Sequence, residues 1–215
     1  MFYLSRRINF IFKNILIFFL LFTIFRIFFF LFFNSESDNY TMLMLLKAFF
    51  IGIKFDLRLA VLLCFPHMIL SLFPYVNISN SIWIKQLSKF YNYIITLILL
   101  LFYSIDFGHY SYLARRVDVS ALGYLENPDI SLQMIWESYP VIIILFFLFL
   151  IFIGLKLLFE LSYSILSTNR KSLLLRKKIY LISISFLIIL FSLWGSFKQY
   201  PLRWSDAFFS NNPFI

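Results

Sequence analysis

Cysteine and histidine are almost missing from this sequence. It contains one cysteine, Cys64, and two histidines, His67 and His109. A single cysteine cannot form an internal disulfide, and the three side chains are too few and too scattered to bind zinc by themselves. H-E-x-x-H, G-x-S-x-G and P-loop motifs are also lacking, although polytopic enzymes commonly carry such patterns. We therefore assign no catalytic residue and no metal ligand, and expect no cofactor in this chain.

The composition is far more apolar than that of a soluble protein. Hydrophobic residues make up 62% of the chain and aromatic residues 22%, with a mean hydropathy of +0.88. Soluble domains are roughly half apolar, so the composition predicts a membrane protein. The abundance of Phe, Ile, Asn, Lys and Tyr beside only five glycines is typical of AT-rich coding and hints at a bacterial source.

Five stretches are long and apolar enough to cross a bilayer, which takes about 20 apolar residues for roughly 30 Å of hydrocarbon. The pattern predicts an all-α fold, a polytopic integral membrane helix bundle in residues 1–197. The predicted spans are about 15–33, 57–73, 90–107, 141–159 and 179–197. Residues 42–53 are apolar apart from Lys47 but cover only about 18 Å as a helix. They either lie in the interface or extend the second span.

Lysine and arginine collect in alternate loops, before the first, third and fifth spans. Cytoplasmic loops retain such residues during insertion, so we expect a multi-pass protein of a bacterial inner membrane with a cytoplasmic N-terminus. The C-terminus is then extracytoplasmic, and residues 198–215 begin an extracytoplasmic linker. Part of the net charge of +9 is thus a topology signal. We expect no nucleic-acid partner, because lipid already covers the aromatic side chains that would stack on bases.

A second set of charged residues lies at the predicted outer ends of the spans, where an ionisable side chain is costly unless it is paired or hydrated. Lys54 and Arg58 are four residues apart and share a helix face, whereas Asp56 points elsewhere and can pair with another element. Arg26, inside the first span, needs a partner of this kind. Asp56 or Asp106 is the expected one.

Two interpretations of this charged set remain open. In one, ion pairs lock the outer ends of the helices together. In the other, basic side chains bind the headgroup of an anionic phospholipid, since an arginine fork matches two phosphate oxygens. The residues concerned are Lys54, Arg58, Arg116 and Arg203.

Several short motifs in this chain resemble one family. They read GIKFDLR at 52–58, IDFGHY at 105–110, RRVD at 115–118, YPLRWSDAFF at 200–209 and NPFI at 212–215. In this order and spacing they resemble the membrane portion of lipoteichoic-acid-synthase-like sulfatases, from about residue 51 to residue 215. The positions that match the family's membrane-domain pattern are Asp56, Arg58, Asp106, Arg116, Tyr200 and Arg203.

The resemblance implies that about five N-terminal helices anchor an extracytoplasmic catalytic domain of the alkaline-phosphatase superfamily. Such a domain uses a divalent metal and a hydroxyl nucleophile to transfer phosphoglycerol or a related group from lipid. We expect that domain to be missing from this chain, so neither its nucleophile nor its metal ligands carry over. The catalytic domain and the lipid bilayer, with its anionic phospholipid, are the expected partners.

The sequence therefore predicts a membrane anchor and lipid-substrate platform for a sulfatase-like transferase. The expected headgroup site comprises Lys54, Asp56, Arg58, Asp106, Arg116, Tyr200 and Arg203. The alternatives are a small transporter or flippase subunit and a membrane scaffold protein. A transporter predicts polar residues along the midplane of several helices, and the third to fifth spans have almost none besides Ser and Thr.

Overall fold

The computed structural model describes residues 4–34, 41–72, 81–164, 166, 175–196 and 199–207. All regular secondary structure in these ranges is helical, which confirms the predicted all-α fold class. The α-helices are α1 (Leu4–Phe33), α2 (Met42–Leu63), α3 (Phe65–Leu72), α4 (Ile82–Leu113), α5 (Pro128–Ser138), α6 (Val141–Ser164) and α7 (Leu175–Trp194). The same ranges contain 3₁₀ helices at Val119–Leu125 and Trp204–Ala207.

Three of the described helices are long and apolar enough to cross a membrane. They are the Arg7–Phe33 part of α1, all of α4 and all of α6, whose most apolar 18-residue stretches have mean hydropathies of 2.8, 1.6 and 3.1. These helices indicate a membrane protein. The described apolar part of α7, Ser183–Trp194, is shorter, and the spans at 57–73 and 179–197 stay predictions. Residues 73 and 197, where those spans end, lie outside the described ranges.

The second predicted span falls in two helices. α2 runs without a break from Met42 to Leu63, so residues 42–53 and the start of this span belong to one helix. The hydroxyl of Thr41 accepts a hydrogen bond from the Met44 amide at 3.3 Å and caps the helix. α3 begins just after Cys64, with Pro66 in its first turn, where a missing N–H is tolerated.

The described residues form two compact units. Unit 1 comprises those of Met1–Lys89 and Leu158–Ile215, and unit 2 comprises Phe90–Leu157. In unit 1, α1 packs most extensively against α2 and also contacts α3 and α7, while α2 contacts α7 and the 3₁₀ helix Trp204–Ala207. In unit 2, α5 packs against the 3₁₀ helix Val119–Leu125.

The core of unit 1 is built on α1. Phe10, Asn14, Phe18 and Leu21 are buried, and their spacing of three or four residues places them on one helix face. The ring of Phe18 lies 5.3 Å from that of Phe159, centroid to centroid. Lipid tails solvate apolar side chains as well as protein does, so helices in a bilayer associate through close packing and polar contacts. Polar contacts between helices therefore matter for this fold beside close packing.

One cluster of polar and aromatic contacts, the Tyr163 cluster, joins four helices. It consists of Phe10 of α1, His67 of α3, Ser88 and Lys89 of α4, and Glu160 and Tyr163 of α6. The hydroxyl of Tyr163 lies 2.6 Å from Ser88 Oγ, and its ring lies 4.8 Å from that of Phe10. Lys89 Nζ donates to Glu160 Oε1 at 2.6 Å. These contacts fix the ends of α1, α3, α4 and α6 that meet here.

The Tyr163 cluster and the ion pair of Arg26 with Asp56 lie at opposite ends of α1. Phe10 and Arg26 are 16 residues apart, which is about 24 Å of helix. Phe10 lies 5.7 Å from His67 of α3, ring to ring, whereas Arg26 contacts Asp56 of α2. α1 is therefore antiparallel to α2 and α3. The separation of the two polar sets approaches the roughly 30 Å thickness of a hydrocarbon core.

Candidate functional site

A bidentate ion pair joins α1 to α2. Arg26 donates from Nε to Asp56 Oδ2 at 3.1 Å and from Nη2 to Asp56 Oδ1 at 2.5 Å. The same Nη2 donates to the Gly52 carbonyl at 3.3 Å. Asp56 is only 3% exposed. Of the two partners expected for Arg26, the structure thus shows Asp56, and this carboxylate serves helix packing.

The absence of a side chain at Gly52 makes room for Arg26. Gly52 lies four residues before Asp56, on the same face of α2, and a Cβ there would overlap the guanidinium group. We expect Gly52→Ala to lower the free energy of unfolding by about 1–3 kcal/mol, because the guanidinium must leave its bonds to Asp56. Chemical denaturation of the detergent-solubilised chain measures this change.

Gly154 of α6 provides the matched control for that substitution. A Cβ at Gly154 would meet nothing within 4 Å, so Gly154→Ala should be neutral or should stabilise the helix by up to about 1 kcal/mol. If the two substitutions change the free energy of unfolding equally, then Gly52 is not needed to make room for the Arg26 guanidinium.

Arg58 joins α2 to the segment that follows α7. Its Nη1 donates to the Leu202 carbonyl at 2.8 Å, and the Leu202 amide donates to the Trp194 carbonyl at 2.9 Å. Gly195, which directly follows Trp194, has φ +66°, a conformation that favours glycine. A Cβ at Gly195 would lie 3.0 Å from Leu202 Cβ. The chain therefore turns at Gly195 and folds back, so that motif 200–209 meets motif 52–58.

Arg203 presents an exposed cation beside this contact. Its guanidinium lies 4.7 Å from the centroid of the Tyr200 ring. Asp206 does not pair with that guanidinium, since its Oδ2 accepts the Arg203 backbone amide at 2.8 Å and caps the 3₁₀ helix. Tyr200 thus positions the Arg203 side chain by stacking, while Asp206 orders the backbone.

Lys54 lies one helical turn before Arg58. Its Nζ is 4.3 Å from the centroid of the Phe50 ring, in the direction of the α2 N-terminus. Within the described part of the chain, no carboxylate forms an ion pair with Lys54, Arg58 or Arg203. We call these three residues the cation group. The one carboxylate between them in the α2 motif, Asp56, is already neutralised by Arg26.

Asp106 and Arg116 belong to unit 2, where they close a turn after α4. Arg116 Nη2 lies 2.7 Å from Asp106 Oδ2, and Asp106 Oδ1 also accepts the Val117 amide at 3.1 Å. Ala114, where the chain leaves α4, has φ 51. A neighbouring pair, Arg115 with Asp118, is exposed. These contacts fold the RRVD motif back onto the end of α4, and the Arg116 charge is paired within the unit.

The predicted site residues thus fall into separate groups. Unit 1 contains Lys54, Asp56, Arg58, Tyr200 and Arg203, and unit 2 contains Asp106 and Arg116. The sequence did not indicate the Leu202 carbonyl, because every residue type carries the same acceptor. The ion pair of Lys89 with Glu160 was also missed, since Lys89 was counted only toward orientation. Opposite charges at the ends of two predicted spans were the signal that could have revealed it.

No group of three His, Cys, Asp or Glu residues that could hold a metal ion occurs among the described residues. No family model, no curated protein and no solved structure matches the chain. The function is therefore argued from the contacts of the site.

Proposed function

We propose that the chain is a membrane anchor and lipid-substrate platform of the kind implied by its resemblance to lipoteichoic-acid-synthase-like sulfatases. In this proposal the cation group binds the phosphate of an anionic phospholipid headgroup. A sulfatase-like extracytoplasmic domain, outside this chain, supplies the divalent metal and transfers phosphoglycerol or a related group. The observation that carries the proposal is the hydrogen bond from Arg58 to the Leu202 carbonyl.

This bond brings two of the quoted motifs together and concentrates positive charge. It uses one of the five N–H donors of Arg58, and Arg203 follows Leu202 directly. Lys54 adds a third cation on the Arg58 face of α2. The nearby carboxylate of Asp206 accepts a hydrogen bond from a backbone amide and keeps its charge, so the three cations still leave an excess of positive charge. A phosphate monoanion complements such an excess, and arginine can bind two of its oxygens at once.

The proposed orientation agrees with the positions of the basic residues along α1. Arg7 and Lys13 lie in the half of α1 that contributes Phe10 to the Tyr163 cluster, which also contains Lys89. The cation group lies near the opposite end, where Arg26 contacts α2. Placing the Tyr163 cluster at the cytoplasmic edge follows the rule that cytoplasmic segments are rich in lysine and arginine. The cation group is then at the extracytoplasmic edge of a bacterial inner membrane.

Arg203→Ala is expected to weaken binding of an anionic lipid about fivefold, since one basic residue near a charged lipid surface contributes about 1 kcal/mol. The purified chain would be placed in nanodiscs of phosphatidylcholine containing increasing fractions of phosphatidylglycerol. Native mass spectrometry then counts the phosphatidylglycerol molecules that stay bound. The Arg203 side chain forms no ion pair in the described part of the chain, so we expect the fold to persist.

Arg115→Ala is the matched control, because it removes the same charge from another exposed arginine, in unit 2. Equal losses of bound lipid in the two variants would contradict a site at the cation group. The transferase part of the proposal is tested by the gene sequence beyond the codon for Ile215 and by the neighbouring genes. A metal-binding sulfatase-like domain in either place supports it, and its absence from both favours a transporter subunit or a scaffold.

A further inference from the structure

We infer that α5 is an interfacial helix whose apolar face lies in the headgroup and upper acyl region of the bilayer. This attachment goes beyond the proposed lipid platform, and the cation group takes no part in it. The ligand is the lipid surface itself, bound by apolar contact and without any need for negative lipid charge.

α5 has a narrow polar stripe with large apolar side chains on both sides of it, while Ser131 and Ser138 lie opposite the stripe. Asp129, Gln133 and Glu137 recur every four residues and therefore follow one line along the helix, and Gln133 Nε2 donates to Glu137 Oε1 at 2.9 Å. No residue of α5 is buried. The large apolar residues that border the stripe or lie farther from it are 48–64% exposed; they are Ile130, Leu132, Met134, Ile135 and Trp136. Such side chains are costly to leave in water and fit a lipid surface.

The C-terminal end of α5 is tied directly to a membrane-spanning helix. Only Tyr139 and Pro140 separate α5 from α6, and two residues reach at most about 7 Å. The hydroxyl of Tyr139 donates to the Gly108 carbonyl of α4 at 2.9 Å. α4 and α6 are both long and apolar enough to span the bilayer. With the start of α6 placed at the membrane surface, the C-terminal end of α5 lies within about 7 Å of that surface.

The other end of α5 is held as well. Ser131 Oγ donates to the Tyr124 carbonyl at 2.8 Å, which joins α5 to the 3₁₀ helix Val119–Leu125. Tyr124 and Trp136 are half exposed or more, and aromatic side chains of this kind favour the membrane interface. With both ends held, we place α5 along the surface.

The negative charge of α5 shows that the proposed contact with the lipid surface is not electrostatic. Residues 128–138 contain Asp129 and Glu137 but neither lysine nor arginine. Anionic headgroups would repel such a helix, so its attachment depends on the apolar side chains, which enter such an interface by about 5–10 Å. We therefore expect α5 to bind membranes of neutral lipid at least as well as anionic ones.

Adjacent positions on the two faces of α5 provide the test. In a Cys64→Ser background, which removes the single cysteine, Leu132→Cys and Gln133→Cys would each be labelled with the environment-sensitive dye NBD. The protein would be reconstituted into vesicles of pure phosphatidylcholine. At Leu132 we expect blue-shifted emission, several-fold weaker quenching by iodide than at Gln133, and strong quenching by a nitroxide-labelled lipid. Trp136→Cys and Glu137→Cys repeat the comparison one turn later.

Three outcomes would overturn the inference. Equal quenching by iodide at both positions would place α5 in water. Protection of the Leu132 label from iodide and also from the nitroxide lipid would mean that protein covers this face. A contrast that appears only when phosphatidylglycerol is added would make the attachment electrostatic. These readouts are separate from lipid binding by Arg203, so either proposal can fail without the other.

Discussion

Arg26→Met is expected to lower the free energy of unfolding by about 3–5 kcal/mol, the usual effect of leaving a buried charge without its partner. Asp56 is 3% exposed, and its side chain is too short to reach water past α1. The substitution leaves its carboxylate without a counterion, with only the Thr23 hydroxyl, among the described residues, at 3.5 Å from Oδ2, which is costly inside a membrane. Asp56→Ala should cost less, because the Arg26 side chain is 37% exposed and long enough to extend toward the interface. Titration of the chain in mixed micelles with SDS measures each change.

The double variant Arg26→Met with Asp56→Ala decides whether the loss comes from the pair. With both charges gone, nothing buried is left uncompensated, so the double variant should be more stable than Arg26→Met alone. Such a coupling is expected only for residues in direct contact. If the two losses simply add, the pairing contributes nothing, and Arg26 stabilises the fold through the packing of its aliphatic part.

The all-α class and the need of Arg26 for a partner could both be predicted from sequence. Long apolar stretches restrict a chain to helices in lipid, because every backbone polar group must be satisfied internally. A charge inside such a stretch needs a counterion, and few acidic residues were available. Asp56 is two residues from both Lys54 and Arg58, so it points to a different side of α2 and is free to face another helix. These constraints left Asp56 and Asp106 as candidates, and the structure shows Asp56 as the partner.

Other contacts of the site could not be read from residue types. The acceptor for Arg58 is a backbone carbonyl at Leu202, and its position depends on the turn at Gly195 rather than on any side chain. The spans predicted at 90–107 and 141–159 leave residues 108–139 without a predicted element, yet this segment contains the end of α4, a 3₁₀ helix and α5. α5 is short, and its apolar residues lie on both sides of a polar stripe instead of forming a single apolar stripe. The usual periodicity of a core-facing helix is therefore weak there.

Tyr163→Ala is expected to destabilise unit 1 by about 3–5 kcal/mol, as large-to-small substitutions of buried aromatic residues do. Tyr163 is fully buried, and its ring packs against Phe10 while its hydroxyl meets Ser88. The alanine variant loses both contacts and leaves a cavity where α1, α4 and α6 meet. Interior packing is dense, so neighbouring side chains fill such a space only in part. Unfolding in mixed micelles measures the loss.

Tyr163→Phe separates the two contributions, because it keeps the ring and removes only the hydroxyl. Ser88, which is buried, then lacks this hydrogen-bond partner, and we expect a loss of about 1 kcal/mol. Removing both hydroxyls with Tyr163→Phe and Ser88→Ala should restore part of that loss, since no polar group is stranded. A phenylalanine variant as unstable as the alanine variant would contradict this account. The hydroxyl pair, rather than the packed ring, would then hold the three helices together.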